Sequence, residues 1–147
     1  MPIDSRFAPF AVTLLRIALG LMFLAHSVVL KLMVFTLPGT AGYFESIGLP
    51  GWSAYLVFAA EAAGGLMLVL GIQARWAAVA LAPILVGAVW AHAGNGWVFS
   101  GEGGGWEYPL YLLALSVAQA LLGDGLWALS PSRRLPSLPS RRAAPAL

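Results

Sequence analysis

The sequence predicts an all-α integral membrane protein, a polytopic four-helix bundle with a short interfacial helix between its first and second spans. Three observations carry this. Of the 147 residues, 60% are hydrophobic and only 10% charged, against roughly 25% charged in a soluble domain. Mean hydropathy is +0.84. The apolar residues fall into long runs near the roughly 20 residues a helix needs to cross a bilayer, separated by Pro- and Gly-bearing stops.

The first run opens after a short polar lead and extends from about 10 to 37, long enough to span with tilt. It is too long for a cleavable leader and no small-x-small site closes it. It carries Arg16, His26 and Lys31. A charge at bilayer depth is costly and normally faces protein or a wet cavity, so this helix needs polar neighbours. Pro38-Gly39 ends it. The segment 40–48 is too short and too polar to span, and reads as an interfacial helix or lid with Tyr43 and Phe44 at headgroup level. The second span is 52–72, and Gln73 to Arg75 form a tight turn. The third is 74–92, with Pro83 expected to kink it. A Gly-rich loop from Ala93 to Trp106 follows, long for a compact bundle and so a candidate functional loop. The fourth span is 107–129. Residues 130–147 hold Pro131, Pro136, Pro139 and Pro145 among Arg133, Arg134, Arg141 and Arg142 and read as a disordered basic tail. Truncation after Leu129 is expected to leave folding intact.

Four spans put both termini on one side. That side holds Arg6, Arg75 and the tail arginines, and the other has Lys31, Glu45, Glu102 and Glu107. The positive-inside rule places both termini in the cytoplasm, in a bacterium beneath the inner (cell) membrane, with the lid and the Gly-rich loop facing outward. The lipid bilayer is the first partner, and a homo-oligomer is open. The net charge of +2 is too small and too scattered for nucleic-acid binding. The absence of cysteine excludes disulfides, thiolate metal sites and thiol redox chemistry by this chain.

Depth at about 1.5 Å per residue sorts the polar residues into two levels. An outer level holds His26, His92, Glu107, Tyr108 and Tyr111, with Asn95 in the loop above. An inner level, a structural polar network, holds Arg16 and Gln119. Glu61 lies between, near the midplane. A carboxylate there has nowhere to snorkel, so it is protonated or paired, and Arg16, His26 and Gln119 are its expected partners. Gly64 and Gly65, one turn on, make its face the packed face. Lys31 falls about 140° from His26 at about 100° per residue, and is expected to snorkel to the outer interface. Arg16 and Arg75 echo each other near the starts of spans one and three, as do His26 and His92 near their ends. The unequal spacing argues against a duplication.

Certain segments resemble a known family. The run Arg16–His26 followed by Lys31, then Tyr43–Pro50, Ala60–Gly65 with Leu70-Gly71, Ala91-His92 with Asn95-Gly96, and Gly104–Leu110 together resemble the DoxX family over about residues 12–128. Ser27 departs from the glycine that commonly follows the histidine. The resemblance implies a four-helix membrane bundle over 1–129, related to the membrane subunit of a thiosulfate:quinone oxidoreductase and to membrane complexes of redox homeostasis.

Three functions compete. A quinone-linked redox subunit would use His26, His92 and Tyr111 as donors and Glu61 as proton carrier, with a soluble or membrane redox partner. A metal- or haem-binding bundle would use His26, His92 and Glu107, with Glu61 deeper. A non-enzymatic scaffold, assembly factor or small-solute permease would need no catalytic group.

Overall fold

The computed structural model describes residues 5–133. The chain forms α1 (Ala8–Leu24), a π-helical continuation (Ala25–Val34), α2 (Leu37–Ser46), α3 (Trp52–Leu70), α4 (Ala74–His92), a 3-10 turn (Ala93–Asn95) and α5 (Glu107–Leu122). Among the described residues there is no strand, only a single bridge between Ile72 and Ser130. The all-α class holds.

The four long helices close into a ring. α1 packs on α3, α3 on α4, α4 on α5, and α5 back on α1. Small residues set the closest approaches, as expected where helices meet in lipid. A Cβ on Gly20 would lie 2.7 Å from the Gly65 carbonyl, and one on Gly64 would lie 2.7 Å from a Leu81 methyl. So the two adjacent glycines serve two neighbours, α1 and α4. The core is apolar and continuous: Leu19, Phe23, Leu68, Ala78, Leu81 and Leu85 are buried. Leu14, Leu56, Val86, Trp90 and Leu121 point outward, where acyl chains rather than water would cover them.

Helices Ala8–Val34, Trp52–Leu70 and Ala74–Asn95 are long and apolar enough to cross a membrane. The expected fourth span, 107–129, is corrected. α5 stops at Leu122 after 16 residues, about 24 Å at about 1.5 Å per residue, short of a roughly 30 Å hydrocarbon core. Gly123 at φ 95° ends it, and Gly125 and Trp127 also have positive φ. The segment 123–133 then turns back beneath the bundle. Leu126 N donates to Thr13 Oγ1 at 2.7 Å, and Phe10 meets Trp127 edge-on at 5.8 Å.

Part of the expected tail is therefore structured. Gln73 N donates to Ser130 O at 2.8 Å and Ser130 N to Gly71 O at 3.1 Å. Asp124 Oδ1 accepts from Ala74 N at 2.7 Å, capping the first turn of α4. The same carboxylate is held by Ser132, whose N lies 2.9 Å from Oδ2. Unpaired amides at a helix start and at a turn recruit the following chain, which the Pro/Arg composition hides. The remainder of the expected tail lies outside the described residues.

α3 ends on Gly71 in the left-handed conformation (φ 69°, ψ 42°). Ile72 N donates to Met67 O at 2.9 Å and Gly71 N to Leu68 O at 3.2 Å, a Schellman closure. Pro83 lies inside α4, and the helix runs through it.

Candidate functional site

The site begins with the change of winding in the first helix. From Ala25 to Val34 the helix is π rather than α. In a π-helix the hydrogen bond reaches back five residues, not four, and such segments concentrate at functional sites. Phe35 N donating to Leu30 O at 2.8 Å shows that reach. Ser27 is fully buried, and its hydroxyl donates to Phe23 O at 2.8 Å, supporting a carbonyl at the point where the winding changes.

This winding decides where Lys31 goes. With α geometry, His26 and Lys31 diverge. With π geometry, residues five apart come round to nearly the same face, and each residue advances the chain less. Lys31 is thereby turned inward and down. Its Nζ lies 2.6 Å from Glu61 Oε2, and the two side chains are 16% and 7% exposed. The expected snorkelling of Lys31 is corrected, as is the expected pairing of Glu61 with Arg16, His26 or Gln119. The Glu61 face of α3 is the packed face: Glu61, Gly64, Gly65 and Leu68 are all buried.

Around this ion pair lies a cavity of about 700 Å³. Every element at the end of the bundle that carries the Gly-rich loop contributes. His26 and Lys31 come from the π segment, Tyr43 and Phe44 from α2, Glu61 from α3, His92 from α4, Phe99 and Gly103 to Gly105 from the loop, and Tyr108 from α5. The rest of the wall is mostly aliphatic, with Leu30, Val57, Ile84, Leu85 and Leu112. Such a cavity, apolar with a few convergent polar groups, is the usual form of a small-molecule site.

The two histidines are held alike. His26 Nδ1 lies 2.9 Å from Met22 O, and His92 Nδ1 lies 2.8 Å from Ala88 O. A carbonyl oxygen only accepts, so in each ring Nδ1 carries the proton. That leaves Nε2, on the side away from the parent helix, as the free position. His26 also stacks on Tyr108, with ring centroids 5.6 Å apart. Tyr108 in turn lies 5.5 Å from Phe99 of the loop, and its hydroxyl reaches Met22 Sδ at 3.5 Å. The aromatic chain Phe99–Tyr108–His26 ties the loop to the first helix.

The other candidates fall elsewhere. Asn95 Nδ2 donates to Gly103 O at 2.9 Å and to Gly104 O at 3.1 Å, so it shapes the loop. Glu107 Oε2 accepts from Phe99 N at 3.2 Å and does the same. Tyr111 is 62% exposed and borders a separate outer groove with Trp97, Glu107, Leu110 and Ala114. Among the described residues no group of three His, Cys, Asp or Glu side chains gathers as a metal site would require; Glu61 is engaged by Lys31 and Glu107 by the loop.

Arg16 and Gln119 lie at the opposite end. Arg16 is 1% exposed. Its Nη1 donates to Leu68 O at 3.0 Å and Val69 O at 3.2 Å, and its Nη2 donates to Leu126 O at 3.1 Å. It caps the C-terminus of α3, where unpaired carbonyls and the helix dipole favour a cation. Arg75 does the same for α5 through Ala120 O and Leu121 O. Gln119, fully buried, donates to Gly123 O in the α5 terminus. The echo between Arg16 and Arg75 is thus a shared structural task. Arg16, midway along α1, caps α3, the helix that α1 packs on, and Arg75 at the start of α4 caps α5. Sequence reasoning missed Arg75, Tyr43, Phe44 and Phe99. Two signals for the central pair were present. Lys31 and Glu61 are opposite charges within apolar runs, and such charges tend to pair.

The comparisons agree with this architecture. The DoxX family model matches residues 11–94, the stretch that carries His26, Lys31, Glu61 and His92. A protein of Bacillus subtilis (strain 168) named "Putative oxidoreductase CatD" is 34% identical over 119 residues, which is 80% of this chain and 83% of that protein. No solved structure matches. With more than half its length matched by the family model, and its apolar helices long enough to cross a bilayer, the chain is a membrane protein and belongs to the DoxX family.

Proposed function

We propose that this protein is the membrane subunit of a redox system and that its outer cavity holds the head group of a quinone-type ligand. The observation that carries the reading is the cavity itself. It is apolar enough to admit a ring from lipid, and its few polar groups are two histidines, a buried ion pair and the hydroxyls of Thr40, Tyr43 and Tyr108. The named relative supports a redox role. With the shorter α5 taken as a fourth pass, the positive-inside rule supports both termini in the cytoplasm of a bacterial cell and the cavity opening toward the outer leaflet. In this orientation the arginine-capped end seals the cytoplasmic side. The chain has no cysteine and so no thiol redox chemistry of its own; in this reading a soluble or membrane partner supplies the electrons.

His26 and His92 would meet the polar substituents of the ring, Tyr108 would hold His26 in place by stacking, and the Lys31–Glu61 pair would accept or return a proton at Glu61. The test is titration of detergent-purified protein with a decyl-tailed para-benzoquinone and with its hydroquinone, read by tryptophan fluorescence. Saturable quenching by at least one of the two is expected, with the tighter binder strongly weakened by His26→Ala and the helical circular dichroism retained. Absence of saturable binding of both by the wild type, or unchanged binding of the tighter one by His26→Ala, overturns the reading.

A further inference from the structure

We infer that the cavity is built for the reduced, two-hydroxyl form of an aromatic ligand rather than for the dione. This rests on the proposed function and specifies which redox state the site prefers. The reasoning is hydrogen-bond polarity. Because each histidine commits its Nδ1 proton to the carbonyl four residues back, the neutral rings present Nε2 lone pairs, which accept. Glu61 uses Oε2 for Lys31, leaving Oε1, another acceptor.

The donors on the wall are mostly committed. Lys31 gives one proton to Glu61 at 2.6 Å. Thr40 Oγ1 gives its proton to Thr36 O at 2.9 Å. The Tyr108 hydroxyl points to Met22 Sδ. The free donors are Tyr43, 45% exposed at the rim, and the remaining protons of Lys31.

The two histidine positions therefore offer acceptors, while the spare donors sit apart at Lys31 and at the Tyr43 rim. A ligand that brings two donors satisfies the Nε2 atoms, whereas a dione sets its own carbonyl oxygens against those lone pairs. A buried acceptor left without a donor costs about 1–3 kcal/mol. Both histidines line one cavity of about 700 Å³, with room for a substituted ring. An aromatic diol with its two hydroxyls on the ring matches this arrangement.

The experiment compares the decyl-tailed para-benzoquinone with its hydroquinone, and with the monomethyl and dimethyl ethers of that hydroquinone. All four are titrated anaerobically into the protein in detergent. The ethers keep the shape of the ring and remove one donor or both, so no variant needs to fold. The hydroquinone is expected to bind at least about tenfold tighter than the dione, with each methylation weakening binding about tenfold. Replacing His92 by Ala is expected to lower hydroquinone affinity more than dione affinity. A dione that binds as tightly as the hydroquinone, or a dimethyl ether equal to it, overturns this inference and leaves the proposed function standing. If none of the four binds to protein of native helicity, the proposed function falls and this inference with it.

Discussion

Replacing Lys31 by Met leaves Glu61 in an apolar cavity wall without its cation. The Lys31 and Glu61 side chains are 16% and 7% exposed and meet at 2.6 Å, so the pair is buried and solvent does little screening. Removing one partner of a buried pair costs about 3–5 kcal/mol, most of it the penalty of the stranded charge. At about 2–4 °C per kcal/mol for a chain of this size, the apparent Tm falls by about 6–20 °C. The double variant K31M/E61L removes both charges at similar volume and is expected to recover most of the loss, since apolar replacement of a buried pair is often neutral or better. The assay is thermal unfolding of the detergent-solubilised wild type, both single variants and the double variant. A Lys31 that merely snorkels to headgroups predicts a change within about 0.5 kcal/mol for K31M, as for an ordinary surface substitution. Such a small change, or losses that simply add in the double variant, would refute the ion pair and the π-helical placement of Lys31 behind it.

Further expectations follow from the inner end and the loop. Arg16→Met removes the donors at Leu68 O, Val69 O and Leu126 O and is expected to cost about 2–4 kcal/mol in unfolding; Arg16→Lys recovers only part, because an ammonium lacks the planar fork. Gly71→Ala forces a side chain into φ 69° with a Cβ 2.6 Å from Ala128 Cα, and its melting temperature should drop well below that of Gly94→Ala, where the space is open. Truncation after Leu129 removes the contacts of Ser130 and Ser132 with Gln73, Gly71 and Asp124. Raised protease sensitivity at the 71–75 turn is the expected readout, and wild-type sensitivity would sink the closure. Tyr108→Leu breaks the stack with His26 and should weaken ligand quenching while sparing helicity, whereas Tyr111→Leu, on the exposed face, should leave quenching unchanged.

The sequence by itself determined the helical class and the starts of α3, α4 and α5 at residues 52, 74 and 107. Span three is read at 74–92 and observed at Ala74–His92, because a long apolar run bounded by a turn and a Gly-rich loop has one physical solution in lipid. It also determined that Glu61 must lie on a packed face and be paired or protonated, since Gly64 and Gly65 follow one turn on. The tertiary structure decided the partner. Angle and depth along an α-helix place Lys31 away from His26, and a π segment has no sequence period that reveals it beforehand. A change in winding over Ala25–Val34 rotates Lys31 inward and lowers it to Glu61. The same holds at the other end. Composition marked residues 130–147 as a tail, yet the amides of Gln73 and Ala74 needed acceptors, and Ser130 and Asp124 supplied them. Capping of one helix end by a distant residue depends on which ends meet in space, and that is settled only when the four helices close on one another.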